Sequence, residues 1–181
     1  MPSGPLAPPP PGAWLDLNLQ YYVLAFQTDG DGAVTQVTAT GQTWGSPELL
    51  RARIEDVGGW SRHIPGVQES ESADGSRSAR ISLRSSFDQA DGTVRRTVSD
   101  DGSVLVEGVD ALQGLAWRWD LHRSPRFGTI VSLTGGVEAS LGGLLARVAT
   151  EREPFFIPGI AAMRRLVWVR YMLNGLAPLP R

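Results

Sequence analysis

The chain has 181 residues, 41% hydrophobic and 20% charged, enough for one domain with a real core. Its formal net charge of -2 gives no basic footprint for nucleic acid or anionic lipid. With no Cys, no Lys and only His63 and His122, the sequence excludes disulfides, thiolate and Schiff-base nucleophiles, zinc–thiolate sites and multi-histidine metal centres.

Residues 1–12 are dominated by Pro, and the Pro9-Pro10-Pro11 run favours extended polyproline II, which builds no core. Residues 1–13 are expected to form a disordered tail. They carry neither the basic nor the apolar region of a secretory signal, so the cytoplasm is the expected compartment. Strand character begins with the alternation Trp14-Leu15-Asp16-Leu17 and continues through Tyr21 to Gln27. Asp29-Gly30-Asp31-Gly32 signals a turn and lacks the spaced oxygens and closing Glu of a calcium loop. A second strand runs from Val34 to Trp44. Ser46-Pro47-Glu48 then opens a helix: Ser caps, Pro fits the first helical position and Glu suits the positive end of the dipole. Leu49, Leu50, Ala52, Ile54 and Val57 supply its apolar positions, and Gly58-Gly59 is expected to stop it. Trp60 to Gly66 follows as a short helical or looped piece.

From Val67 the pattern is all strand. Val67–Ala73, Ser78–Phe87, Thr93–Ser99, Ser103–Val109, Leu115–His122 and Phe127–Thr134 are expected to form an antiparallel meander, with turns at Asp74-Gly75, Asp91-Gly92, Asp101-Gly102 and Ser124-Pro125. Helical spacing returns over Val137–Arg152 and again over Ile160–Leu173, with Pro154 and Pro158 interrupting and Asn174-Gly175 ending the second run. That second run is apolar almost all round, which implies burial on more than one side. Arg164, Arg165 and Arg170 keep it from spanning a bilayer, and its apolarity leaves a second copy of the chain or transient contact with a membrane surface open as further partners. The expected fold class is α+β, as one domain over residues 14–175 followed by a short tail at 176–181.

The phrase Ser46-Pro47-Glu48-Leu49-Leu50, then Val57, Trp60 and Ile64-Pro65-Gly66-Val67, together with the element order over residues 34–173, resembles the START-like superfamily of polyketide cyclases/dehydrases and lipid transport proteins. It resembles the coenzyme Q-binding and polyketide cyclase branches most. The resemblance implies a helix-grip fold, in which a curved antiparallel sheet wraps a long C-terminal helix. It also implies an apolar tunnel between them that accepts lipids, quinones or polyketides.

Leu115 to His122 is the most informative segment for chemistry. Period-two alternation puts Leu115, Trp117, Trp119 and Leu121 on one face and Ala116, Arg118, Asp120 and His122 on the other. Either the Trp pair fills the core while the charged row faces solvent, or the Trp line a ligand cavity with their indole N–H groups orienting a polar head. A third arrangement turns Arg118, Asp120 and His122 inward as an acid/base set. Trp60, His63, Leu83 and Phe156 complete the candidate ligand-binding residues. His63 suits a cavity entrance, and Phe155-Phe156-Ile157-Pro158 suits either packing or a gate. Arg80, Arg84, Arg95 and Arg96 read as a solvated face or as a seat for an anionic headgroup. No phosphate loop, nucleophile elbow or dinucleotide fingerprint is present, so no metal and no cofactor are expected. The sequence favours a carrier or chaperone of a hydrophobic small molecule over an enzyme, because apolar alternation is everywhere and concentrated chemistry nowhere. A cyclase, aromatase or dehydratase using the same cavity, and a protein-interaction module with a filled cavity, remain alternatives.

Overall fold

A computed structural model describes residues 22–28, 34–43, 45–74, 77–84, 89–125, 128–137 and 156–176. Among the described residues, eight strands form one antiparallel sheet: β1 (Tyr22–Thr28), β2 (Val34–Thr43), β3 (Val67–Asp74), β4 (Ser78–Arg84), β5 (Gln89–Val98), β6 (Val104–Val109), β7 (Leu115–Ser124) and β8 (Gly128–Val137). Their order across the sheet is β1-β2-β8-β7-β6-β5-β4-β3. β3 to β8 follow one another as the expected meander, and the β1–β2 hairpin is added against β8. Helix α1 (Pro47–Glu55) and a 3-10 turn (Val57–Arg62) lie between β2 and β3, and helix α2 (Phe156–Leu176) follows the sheet. The architecture is an α+β helix grip, a curved sheet closed on a C-terminal helix.

Local chemistry explains most of these elements. Ser46 caps α1, its hydroxyl accepting from the Leu49 N–H at 3.2 Å, with Pro47 in the first turn. Gly102 takes a φ of 80° in the β5–β6 turn, a conformation that costs Gly nothing, and the turn closes with Ser99 N–H on the Ser103 carbonyl at 2.9 Å.

Five expectations need correction. Asp91-Gly92 is not a turn: β5 runs straight through it, with Asp91 opposite Ser82 and Gly92 opposite Ile81. The chain reverses earlier, between the paired residues Arg84 and Gln89. Gly92 serves packing, because a Cβ there would lie 2.7 Å from both Asp110 Oδ1 and Leu112 Cγ in the 3-10 turn Asp110–Leu112. Second, α1 stops at Glu55, and Gly58-Gly59 continue as part of the 3-10 turn. Third, Pro158 does not interrupt a helix. It falls in the first turn of α2, where its missing N–H has no intrahelical acceptor to lose. Fourth, Gly175 does not end α2, which runs on to the buried Leu176. A Cβ on Gly175 would lie 2.5 Å from the His63 carbonyl oxygen, so Gly here permits close approach. Val137 ends β8, opposite Leu115, instead of opening a helix. The rest of the helix expected to Arg152, together with residues 1–21, Pro154 and residues 177–181, lies outside the described residues.

The grip depends on small residues where α2 meets the rest. A Cβ on Gly66 would lie 2.5 Å from the Tyr171 ring and 2.6 Å from the Trp168 ring. One on Gly135 of β8 would lie 2.7 Å from Val169 Cγ2. α2 therefore rests on β8 and on the Pro65-Gly66 corner at distances that any larger residue would open. Its buried side chains there are Trp168, Val169, Met172, Leu173 and Leu176.

Candidate functional site

Alternation along β7 decides which chemistry points toward α2. Leu115, Trp117 and Trp119 are buried, while Ala116, Arg118 and Asp120 alternate with them on the opposite face. The inner face is built in cross-strand rows. Trp117 stands between Val106 of β6 and Gly135 of β8, and Trp119 between Val104 and Leu133. Absence of a side chain at Gly135 lets the Trp117 indole and Val169 of α2 close over β8.

Trp117 belongs to a chain of rings crossing from the 3-10 turn to α2. Its centroid lies 5.8 Å from Trp60 at 63°, and 6.3 Å from Trp168 at 55°. Trp168 in turn meets Tyr171 edge-on at 5.8 Å. Tilted and edge-to-face contacts at these separations are favourable beyond area burial, by about 0.5–1.5 kcal/mol each. The polar ends of these rings are treated differently. Trp60 Nε1 donates to the Ile54 carbonyl at 3.1 Å. Trp117 Nε1 and Trp119 Nε1 are buried and have no hydrogen-bond acceptor among the described residues.

The opposite face is ionic and hydroxylic. Arg118 Nε donates to both Asp120 carboxylate oxygens, at 3.2 and 3.3 Å, and Arg118 Nη2 reaches Asp101 at 2.9 Å. The hydrogen bond that Arg118 donates to Asp120 raises the Arg118 pKa further. The Ser103 backbone N–H chiefly holds the Asp101 carboxyl below its ordinary value of 3.8, and Arg118 adds a smaller push in the same direction. Thr38 and Thr134 hydroxyls pair at 2.9 Å in the same cross-strand row as Arg118.

The sequence candidates are thus divided. Trp60, Trp117 and Trp119 share the buried interior. Leu83 is buried on β4, three strands from Trp117. His63 and His122 are exposed, His63 just after the 3-10 turn and His122 on the outer face beyond Asp120. Phe156 opens α2, and its side chain lies outside the described residues. Arg80, Arg84 and Arg95 are exposed. Arg80 shares an open groove of about 790 Å³ with Glu69, Glu71 and Asp91, an acidic setting that disfavours an anion. Arg96 differs from its neighbour. It shares the inner face with Val94, is half-buried, and pairs through Nη1 with Glu55 at the end of α1, while its Nε has no partner among the described residues. Alternation from Val94 carried that signal, but the adjacent Arg95 masked it. Trp168 was hidden in a run that read as uniformly apolar.

Several solved structures share this architecture. The di-domain ARO/CYC BexL from the BE-7585A biosynthetic pathway superposes with a TM-score of 0.56 at 14% identity, over 80% of this chain and 50% of that one. A START superfamily protein from Mycobacterium smegmatis gives 0.51 at 11% identity, over 72% and 99%. A STAR-related lipid transfer protein fragment from Xanthomonas axonopodis gives 0.50 at 13%, over 88% and 99%. The fold is START-like. At these identities the START-like likeness is one of fold, not of activity. No protein-family model matches the sequence, and neither does any curated protein. Among the described residues of this START-like domain, no helix is long and apolar enough to cross a membrane, and no group of three or more His, Asp or Glu side chains is placed to hold a metal.

Proposed function

We propose that this START-like domain binds a hydrophobic small molecule, of lipid, quinone or polyketide-like character, between its sheet and α2, and acts as a carrier or chaperone in the cytoplasm. The observation that carries the reading is the sidedness of the sheet. The face turned to α2 is aromatic and aliphatic through β6, β7 and β8, whereas Arg118 and Asp120 are engaged with each other on the other face. An apolar wall buried under a helix suits solvation of an apolar guest. An acid/base enzyme of the cyclase or dehydratase type needs ionisable groups converging on the guest, and Arg118, Asp120 and His122 stand on the wrong side for that.

A second reading has one observation in its favour. The Trp60–Trp117–Trp168–Tyr171 chain fills part of the interior with protein, as expected of an interaction module that takes no guest. Intrinsic tryptophan fluorescence separates the two. Titration with phospholipid, ubiquinone-type and aromatic polyketide probes is expected to give a saturable change for at least one, because the rings flank the proposed seat. A flat response to all three classes overturns the carrier reading in favour of the module.

A further inference from the structure

We infer that the guest is uncharged and carries a hydrogen-bond-accepting oxygen, such as a ketone, quinone or ester carbonyl, and that Trp119, seconded by Trp117, donates its indole N–H to it. This rests on the proposed function above. Indole Nε1 is a donor and never an acceptor, so only an acceptor completes it. Both N–H groups are fully buried without one among the described residues, a state that native proteins rarely leave uncompensated. The fold itself supplies a contrast: Trp60 is equally buried, and its N–H is satisfied by the Ile54 carbonyl. Two neighbouring indoles of the same wall, unpaired on consecutive inward positions of β7, mark a strip whose donors an oxygen from outside the chain would complete.

Placement picks Trp119 as the principal donor. Trp117 is hemmed in by Trp60, Trp168 and Val169, whereas Trp119 makes no ring contact among the described residues and has Val104 and Leu133 as its cross-strand neighbours. Inward residues two apart on a strand are separated by roughly 6.6 Å, so the two donors suit a guest with oxygens at similar spacing, or one oxygen close to Trp119. Charge decides the rest. The ionised group in the same cross-strand row is Arg96, two strands from Trp117, and Glu55 already neutralises it. A carboxylate at Trp119 would lose its hydration with no counter-charge facing it, whereas a carbonyl needs none.

The test uses the full chain, stripped of co-purified molecules, and three probes with the same tail: nonane, 2-nonanone and nonanoate, followed by calorimetry. The ketone is expected to bind at least tenfold more tightly than nonane and nonanoate. Trp119→Phe should bring ketone affinity down to that of nonane measured on the same variant. Because the variant can fail to fold, the ¹⁵N–¹H indole resonances of the unsubstituted chain are followed too, and those of Trp119 and Trp117 should move on adding 2-nonanone while that of Trp60 stays. Equal binding of ketone and nonane, tightest binding of nonanoate, or motionless Trp119 and Trp117 resonances under ketone saturation overturns the inference and leaves the carrier reading standing. No binding of any of the three removes support from the carrier reading itself, and this inference falls with it.

Discussion

Trp60 and Trp117 touch edge to face, yet their N–H groups fare differently, and that difference has a measurable consequence for stability. Trp60→Phe removes the bond to the Ile54 carbonyl and leaves a buried acceptor unpaired, a loss of about 1–3 kcal/mol on top of the lost ring volume. Trp119→Phe removes a donor that has no partner, so part of its packing loss is offset. Urea unfolding is therefore expected to show Trp60→Phe as the more damaging, and the reverse order would contradict the hydrogen-bond assignment. The Arg96–Glu55 pair ties β5 to the end of α1 on the sheltered side of the sheet. Its side chains are 15% and 26% exposed, so screening is incomplete. A double-mutant cycle with Arg96→Met and Glu55→Gln should return a coupling of about 1 kcal/mol, and zero coupling would place the pair with ordinary surface contacts. At this scale the sequence was legible where alternation is strict, as at Trp117 and Trp119 against Arg118 and Asp120. It was illegible where the outcome hinged on a partner from afar. Nothing around Trp60 in the sequence reveals that a helix-end carbonyl waits for it, and nothing around Arg96 reveals Glu55.

Elements were read from the sequence by two kinds of signal, and the two fared differently. Capping and period-two patterns located α1 and β4, β6 and β7, because those signals are local. Glycines misled, since a Gly that makes a turn and a Gly that admits a neighbour look alike in one dimension. Asp101-Gly102 is a turn with a positive φ, whereas Gly92 lies within a strand beneath Leu112, and Gly175 lies within α2 beneath the His63 carbonyl. The distinction is testable. Gly66→Ala and Gly175→Ala place a Cβ within 2.5 Å of a Tyr171 ring carbon and of a backbone oxygen respectively, and should each destabilise by about 1–3 kcal/mol as α2 is pushed off. Gly45→Ala meets only Leu50 side-chain atoms, the nearest at 3.5 Å, and should stay within about 0.5 kcal/mol of the parent in the same thermal melts. Similar losses at all three positions would mean that α2 is not seated as described.

For the whole molecule, the carboxylates set the response to acid. Asp101, Asp110 and Glu48 are all held below their ordinary values of 3.8, 3.8 and 4.5. The main cause is a backbone N–H bond, from Ser103, from Thr93 and from the Glu48 N–H respectively. A carboxylate with a lowered folded-state pKa adds stability that is complete above its unfolded value and is lost as the pH falls through the folded one. Urea midpoints should accordingly hold steady down to about pH 5 and fall below about pH 4, and Asp110→Asn should flatten that fall. A midpoint that rises on acidification would reverse the sign and refute the assignment. The overall architecture was the most legible level of all, because a meander of strands followed by an apolar helix admits few arrangements. The identity of the guest was the least legible, because it depends on volume and on unpaired groups that only packing reveals.

Whether a guest molecule binds between sheet and α2 is decided by native mass spectrometry of the full chain purified from a bacterial host. The expected spectrum shows a species heavier than the bare chain by the mass of a small apolar molecule, lost on organic extraction and restored by adding a carbonyl-bearing lipid or quinone. A bare chain under gentle ionisation, unchanged after incubation with such molecules, would contradict it.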